Sequence, residues 1–148
     1  MELVASIMTH PRLYPGLTGD SPILPEDFRP NPDPNISYLI AEEAGEILGM
    51  FITHPLNSVC WEMHHAILPK SWGPTADLIG EAFERWIFTE TDCQVVIGFT
   101  PMHNLPACKY ARRRGMHEVG RIPNGSRKNG KLYDVIVFSK TKEQSTLI

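Results

Sequence analysis

The chain has 148 residues, 42% of them hydrophobic and 21% charged, with a formal net charge of −3. That balance fits an ordinary globular domain with its own core and excludes fibrous and disordered chains. The negative charge removes any electrostatic basis for nucleic-acid binding by the whole chain. The lack of an apolar run near the roughly 20 residues of a membrane span, or of a basic signal-peptide start, predicts a cytoplasmic protein.

Leu3–Met8 reads as a short helix. The segment from Pro11 to Pro34 holds seven of the thirteen prolines, a density that precludes long helices or central strands and predicts an extended arm along the surface. Residues 36–41 and 47–53 are β-prone runs around a turn at Gly45, hence a hairpin. Val59–Leu68 reads as a third, longer strand stopped by Pro69, and completes an antiparallel meander. Gly73 and Pro74 open a helix, since proline suits the first helical position. Leu78, Ile79, Ala82, Phe83, Trp86 and Ile87 give that helix its apolar stripe.

Gln94–Thr100 is nearly all apolar, as expected of a central strand covered on both faces. Asn104–Arg114 reads as another helix, with Pro106 in its first turn and Gly115 ending it. Val119–Ile122 and Leu132–Phe138 read as two strands separated by a polar loop over 123–131. The expected organisation is one domain over 1–148: a short helix and proline-rich arm (1–35), a core (36–138) and a flexible tail (139–148). Its fold class is α/β, a mixed and mostly antiparallel sheet with helices on both faces.

Two places carry chemistry. The turn Trp72-Gly73-Pro74-Thr75-Ala76 runs into a helix, so free backbone donors and the positive end of the helix dipole converge there, an arrangement suited to an anion. On the third strand Glu62 and His64 are two apart and share a face, so a carboxylate and an imidazole can act together as a base, while His65 faces the other way. Cys60, Cys93 and Cys108 are odd in number and lack C-x-x-C spacing; Cys60 and Cys108 read as small hydrophobes, and no metal site is expected. Basic residues gather late, from Arg112 to Lys131, whereas acidic residues dominate between Asp20 and Glu46.

A strand ending in Ile67-Leu68-Pro69, the turn from Trp72 to Ala76 opening a helix, Asn104-x-x-Ala107, and then Arg114-Gly115-Met116 together resemble the GCN5-related N-acetyltransferases over residues 36–138. The resemblance implies that acetyl-CoA is the co-substrate and that an amine of a small molecule or a peptide is acetylated. It implies that Ile67 and Leu68 pair with the pantetheine arm, and that the turn Trp72, Gly73, Pro74, Thr75 and Ala76 receives the pyrophosphate. Asn104 would then fix the cofactor or the strands around it, a role compatible with capping a helix, and Glu62 with His64 would deprotonate the amine.

Departures from the family pattern are plain. The loop keeps one glycine, and two registers stay open, one aligning Trp72 and the other Lys70 with the family's basic residue. The first puts Asp77 beside the pyrophosphate. Ala111 stands where many members carry a tyrosine, with Tyr110 one residue away and turned about 100°. The proline-rich arm, Glu62-x-His64 and Gly130-x-x-Tyr133-Asp134 also look similar to acetyltransferase-like proteins of tailed bacteriophages, which implies the host cytoplasm. That likeness keeps a second expectation open: a non-enzymatic binding or head-assembly module, with a homodimer or an assembly partner as its company.

Overall fold

In the computed structural model, which describes residues 1–20 and 23–147, strands β1 (Ser37–Glu43), β2 (Glu46–Pro55) and β3 (Cys60–Ile67) form the expected antiparallel meander. The first turn is Ala44-Gly45, both at positive φ (52° and 79°), the twist that a two-residue hairpin turn requires. Helix α3 (Pro74–Glu90) carries the chain to β4 (Val95–Pro101), and α4 (Leu105–Arg113) leads to β5 (His117–Lys128) and β6 (Lys131–Thr141). The sheet order is β1-β2-β3-β4-β6-β5, with β3 and β4 its parallel pair.

Helices cover both faces. Short α1 (Glu2–Met8) sets Val4 and Ile7 against Met50 and Ala66. On the opposite face α3 and α4 enclose the main core, where Phe83 stacks on Phe51 with ring centroids 4.3 Å apart and Ile87, Phe88 and Phe138 are almost fully buried. The α/β class expected from the sequence is therefore the observed one.

Four expectations change. The buried side of α3 is Ala76, Ile79, Gly80, Phe83, Glu84, Ile87 and Phe88, so Leu78 is exposed, and the stripe is rotated from the expected one. Glu84 sits inside it because Lys140 and Arg114 neutralise its carboxylate. The polar loop 123–131 is mostly strand: a bulge between Ile122 and Ser126 absorbs Pro123, Asn124 and Gly125, and the turn shrinks to Asn129-Gly130, both at positive φ. Residues 139–141, placed in the tail, belong to β6, and Lys140 is buried. Phe99 of β4 is 38% exposed, because the strand loses a neighbour on one side.

The arm also forms α2 (Tyr14–Leu17) and lies across the end of the β5–β6 hairpin. Lys128 Nζ donates to the carbonyls of Pro15 (2.6 Å) and Thr18 (3.0 Å). The Asp20 carboxylate accepts from the Asn129 and Gly130 N–H groups at 2.6 and 2.7 Å.

Candidate active site

The site begins with an interruption in the sheet. β3 and β4 pair only over Cys60–Glu62 and Val95–Ile97. Beyond that seam β3 stays with β2 as far as Ile67, and β4 stays with β6 as far as Pro101, so the two strands part. Leu68 N–H bonds the Leu48 carbonyl. By the alternation of an antiparallel ladder, His65 and Ile67 then turn their main-chain groups away from β2 and into the gap. The Ile67 carbonyl is already used, accepting the Trp72 indole N–H at 2.9 Å. Of the two residues expected to line a pantetheine arm, Ile67 thus faces the gap with its N–H, whereas Leu68 is committed to β2.

The gap opens into a cavity of about 570 Å³ that reaches the start of α3 and is lined by His65, Ala66, Ile67, Gly73, Ala76 and residues of α4. Gly73 caps α3 with φ 95° and ψ −140°, a conformation open to glycine alone, and nothing lies within 4 Å of the place a Cβ would take. Pro74 has no N–H, so the free donors of the first turn come from Thr75 and Ala76. Three cations border this cavity: Arg12, Lys109 and Arg113. Arg12 lies over the Trp72 ring at 5.0 Å, and Arg113 donates to Asp77 at 2.8 Å. Asp77 is thereby neutralised, which removes the repulsion that its place in the loop implied.

Asn104 caps α4, its side-chain oxygen accepting the Ala107 N–H at 3.4 Å, and its amide donates to the Gly16 carbonyl at 3.1 Å. It therefore ties α2 down over the gap. Tyr110 is buried, and its hydroxyl donates to the Ala76 carbonyl. Burial pushes that phenol up to about 12, so it stays protonated at neutral pH.

On the α1 face, Glu62 takes both of its carboxylate oxygens to imidazoles: Oε1 lies 3.0 Å from His64 Nε2 and Oε2 lies 3.2 Å from His54 Nε2. Glu62 is mostly covered, while His64 is 46% exposed at the mouth of the gap. The structure brings the expected pair together and adds His54, which sequence reasoning left unassigned. Its signal is cross-strand, in the β2–β3 register that sets His54 opposite Glu62. His65 points to the other face, against Tyr110 and Phe51, where burial first and the neighbouring His64 second depress it to about 4. Cys93 and Cys108 are buried, and burial raises both thiols, so neither is poised as a nucleophile. Among the described residues no group of three or more histidine, cysteine, aspartate or glutamate side chains is arranged to hold a metal ion. None of the described helices is long and apolar enough to cross a membrane.

A six-stranded mixed sheet that parts between its two parallel strands, with a helix starting beside the gap, is the fold of the GCN5-related N-acetyltransferases. Solved structures share it. Spermidine N-acetyltransferase from Vibrio cholerae, in complex with CoA and spermine, superposes with a TM-score of 0.68 and 18% identity, covering 76% of this chain and 69% of that one. A probable acetyltransferase gives 0.65 and 21%, covering 76% and 66%, and a Streptococcus mutans protein gives 0.65 and 16%, covering 74% and 72%. No curated protein matches the chain in sequence. The chain belongs to the DUF2824 family, a family of unknown function whose model matches residues 26–147.

Proposed function

We propose that the chain transfers an acyl group, acetyl in the simplest case, from a coenzyme A thioester to an amine. The observation that carries this reading is the gap between β3 and β4, which runs from the Glu62–His64 pair to the free start of α3. Coenzyme A fits the residues present: Gly73 leaves the backbone accessible, Thr75 and Ala76 offer donors, and Arg12 and Lys109 supply positive charge, Arg113 being paired with Asp77. When bound, the cofactor supplies an activated acyl carbonyl. The N–H of Ile67 and the main chain of His65 would orient its arm as an added strand would be held.

Glu62 and His64 stand at the mouth of the gap on the α1 face. Their role is to take the proton that the amine loses as its nitrogen bonds the carbonyl carbon and the carbon–sulfur bond breaks. His54 keeps the second carboxylate oxygen engaged and so fixes the orientation of Glu62. The amine itself is a proposal by chemistry alone: a cationic acceptor suits the acidic stretch before Glu46, and the Vibrio cholerae relative was solved with spermine.

Titrating the protein with acetyl-CoA in a thermal-shift experiment tests the reading. At about 100 times the dissociation constant the ligand adds roughly 2.7 kcal/mol of stability. No shift at millimolar acetyl-CoA, and none with free or longer-chain acyl coenzyme A, overturns it. That result would favour the second reading, a binding or assembly module such as a bacteriophage particle needs, for which the single-glycine loop and the engagement of Asn104 by Gly16 speak.

A further inference from the structure

Beside the cavity that reaches α3 lies a second one, of about 270 Å³, which starts at the same gap and runs inward between the sheet and α3. Both are bordered by Gly16, Leu17, His65, Asn104, Ala107 and Tyr110, so the two lie side by side along the gap, as an outer and an inner arm. His64 lines the mouth of the inner arm. Its walls include Phe51, Met63, Phe83, Ile87, Met116 and Phe138, and Glu84, Arg114 and Lys140 also border it. The Glu84 carboxylate is shared by the two cations, and Arg114 has Glu81 at 3.9 Å as a second partner. Lys140 Nζ lies 2.7 Å from Glu84 Oε1, an ion contact outside hydrogen-bond alignment, and donates to the Arg114 carbonyl at 2.8 Å. Arg114 reaches the other Glu84 oxygen at 3.2 Å.

An acetyl group does not need this space. The outer arm is the larger of the two, and a two-carbon acyl group would take up only a small part of the inner one. Apolar emptiness inside a core costs stability, because the walls forgo contacts that a larger side chain would supply. Position 98 shows that the emptiness is not forced. A Cβ on Gly98 would meet only the Met63 carbonyl oxygen at 3.6 Å and its terminal methyl at 3.9 Å, ordinary contacts, so a larger residue could stand there and fill the arm.

We propose that the inner arm receives the acyl chain of the donor, and that the donor is a short hydrocarbon acyl thioester of about four to six carbons rather than acetyl. This rests on the acyltransferase reading above and names the acyl group that the same site takes. An apolar cavity of about 150 Å³ holds a six-carbon ring; the inner arm exceeds that by enough to admit the thioester carbonyl as well. Its charged border limits the length, since a longer chain would strip solvent and partners from Glu84, Arg114 and Lys140. The chemistry is unchanged: a carbon–nitrogen bond forms, the carbon–sulfur bond breaks, and the sulfur leaves as thiolate while the amine proton passes to Glu62 and His64.

Calorimetry on the intact chain with coenzyme A, acetyl-, butyryl-, hexanoyl- and dodecanoyl-CoA tests this. Hexanoyl-CoA is expected to bind at least ~10-fold more tightly than acetyl-CoA, because each buried methylene adds to affinity, and dodecanoyl-CoA is expected to lose that gain. Gly98→Val should bring the hexanoyl-to-acetyl ratio down to one or below, and Gly98→Ala, whose added carbon meets nothing closer than 3.6 Å, should lower it part of the way. Acetyl-CoA binding as tightly as hexanoyl-CoA, or a ratio unmoved in both folded variants, overturns the acyl-length proposal and leaves the acyltransferase reading standing. Failure of every coenzyme A species to bind overturns both.

Discussion

Glu62 holds one imidazole on each carboxylate oxygen, at 3.0 and 3.2 Å, so each of its two acceptor sites already has a fixed direction. If it is the proton acceptor, Glu62→Gln lowers kcat by roughly 10² to 10⁴ while coenzyme A affinity stays near that of the parent, because proton transfer belongs to the transition state. His54→Gln, one bond further away, lowers kcat by less. Full activity in a folded Glu62→Gln variant would remove the pair from the mechanism. His65, on the opposite face, is a stability residue with a readable pH signature. Its folded value of about 4 lies below the ordinary 6.5. The unfolded chain therefore binds the extra proton first, and the stability it contributes is complete above 6.5 and disappears as pH falls through about 4. Melting temperature should decline across that window, and His65→Leu should flatten the decline; an unchanged slope would place the cause elsewhere. Alternation alone separated His64 from His65 in the sequence. His54 was not legible, since its partner lies across a hairpin whose register no local pattern fixes.

Among the elements, the β5–β6 hairpin was the least legible. Asn129-Gly130 carries the strongest short signal for a two-residue turn, yet Pro123, Asn124 and Gly125 suggest a loop until a bulge is allowed to absorb them. Helix α3 was secure as an element, but its face was misjudged because Glu84 looks like a surface residue. The β3–α3 turn was legible because the glycine and the proline act locally. The hairpin tip also anchors the arm. The Gly130 and Asn129 N–H groups hold the Asp20 carboxylate below its ordinary value, so this anchor is present above the ordinary carboxylate pKa of about 3.9 and is lost as pH falls through the lowered folded value. Asp20→Ala should mimic that loss at neutral pH, with faster amide exchange at Asn129 and Gly130 and in α2 but not in β6. Equal exchange in the two proteins would mean that Lys128, Asn104 and the main-chain bond from Asp20 to Arg127 hold the arm without the carboxylate.

At the scale of the whole molecule, Glu84 joins α3 to the end of α4 through Arg114 and to the end of β6 through Lys140, with side-chain exposures of 8%, 17% and 11%. Removing the carboxylate strands Lys140 and leaves Arg114 only its longer contact to Glu81, so Glu84→Leu should cost about 3 to 5 kcal/mol, measured by denaturant unfolding. Glu84→Leu combined with Lys140→Met should recover much of that loss, as the remaining charge, Arg114, still has Glu81 at 3.9 Å. A double variant no better than the single one would show that the network is not what joins these elements. The general architecture was legible because strand and helix periods are local, and so was the class of fold, because its turn and its Asn-x-x-Ala are local too. The ion network and the inner cavity were not, for both depend on residues more than twenty positions apart.

The seam at Cys60–Glu62 and Val95–Ile97 has a mechanical consequence. It divides the sheet into two leaves, β1-β2-β3 and β4-β6-β5, each internally antiparallel and hinged along three residue pairs. A ligand lying in the gap would bind both leaves at once and act as a splint across the hinge. Without it the leaves should breathe independently, so that amides along β3 and β4 exchange through partial openings well below the global unfolding energy. With it, exchange on both banks should slow together and converge on the global value. The amount of that convergence, strand by strand, would trace how far along the gap the bound molecule extends.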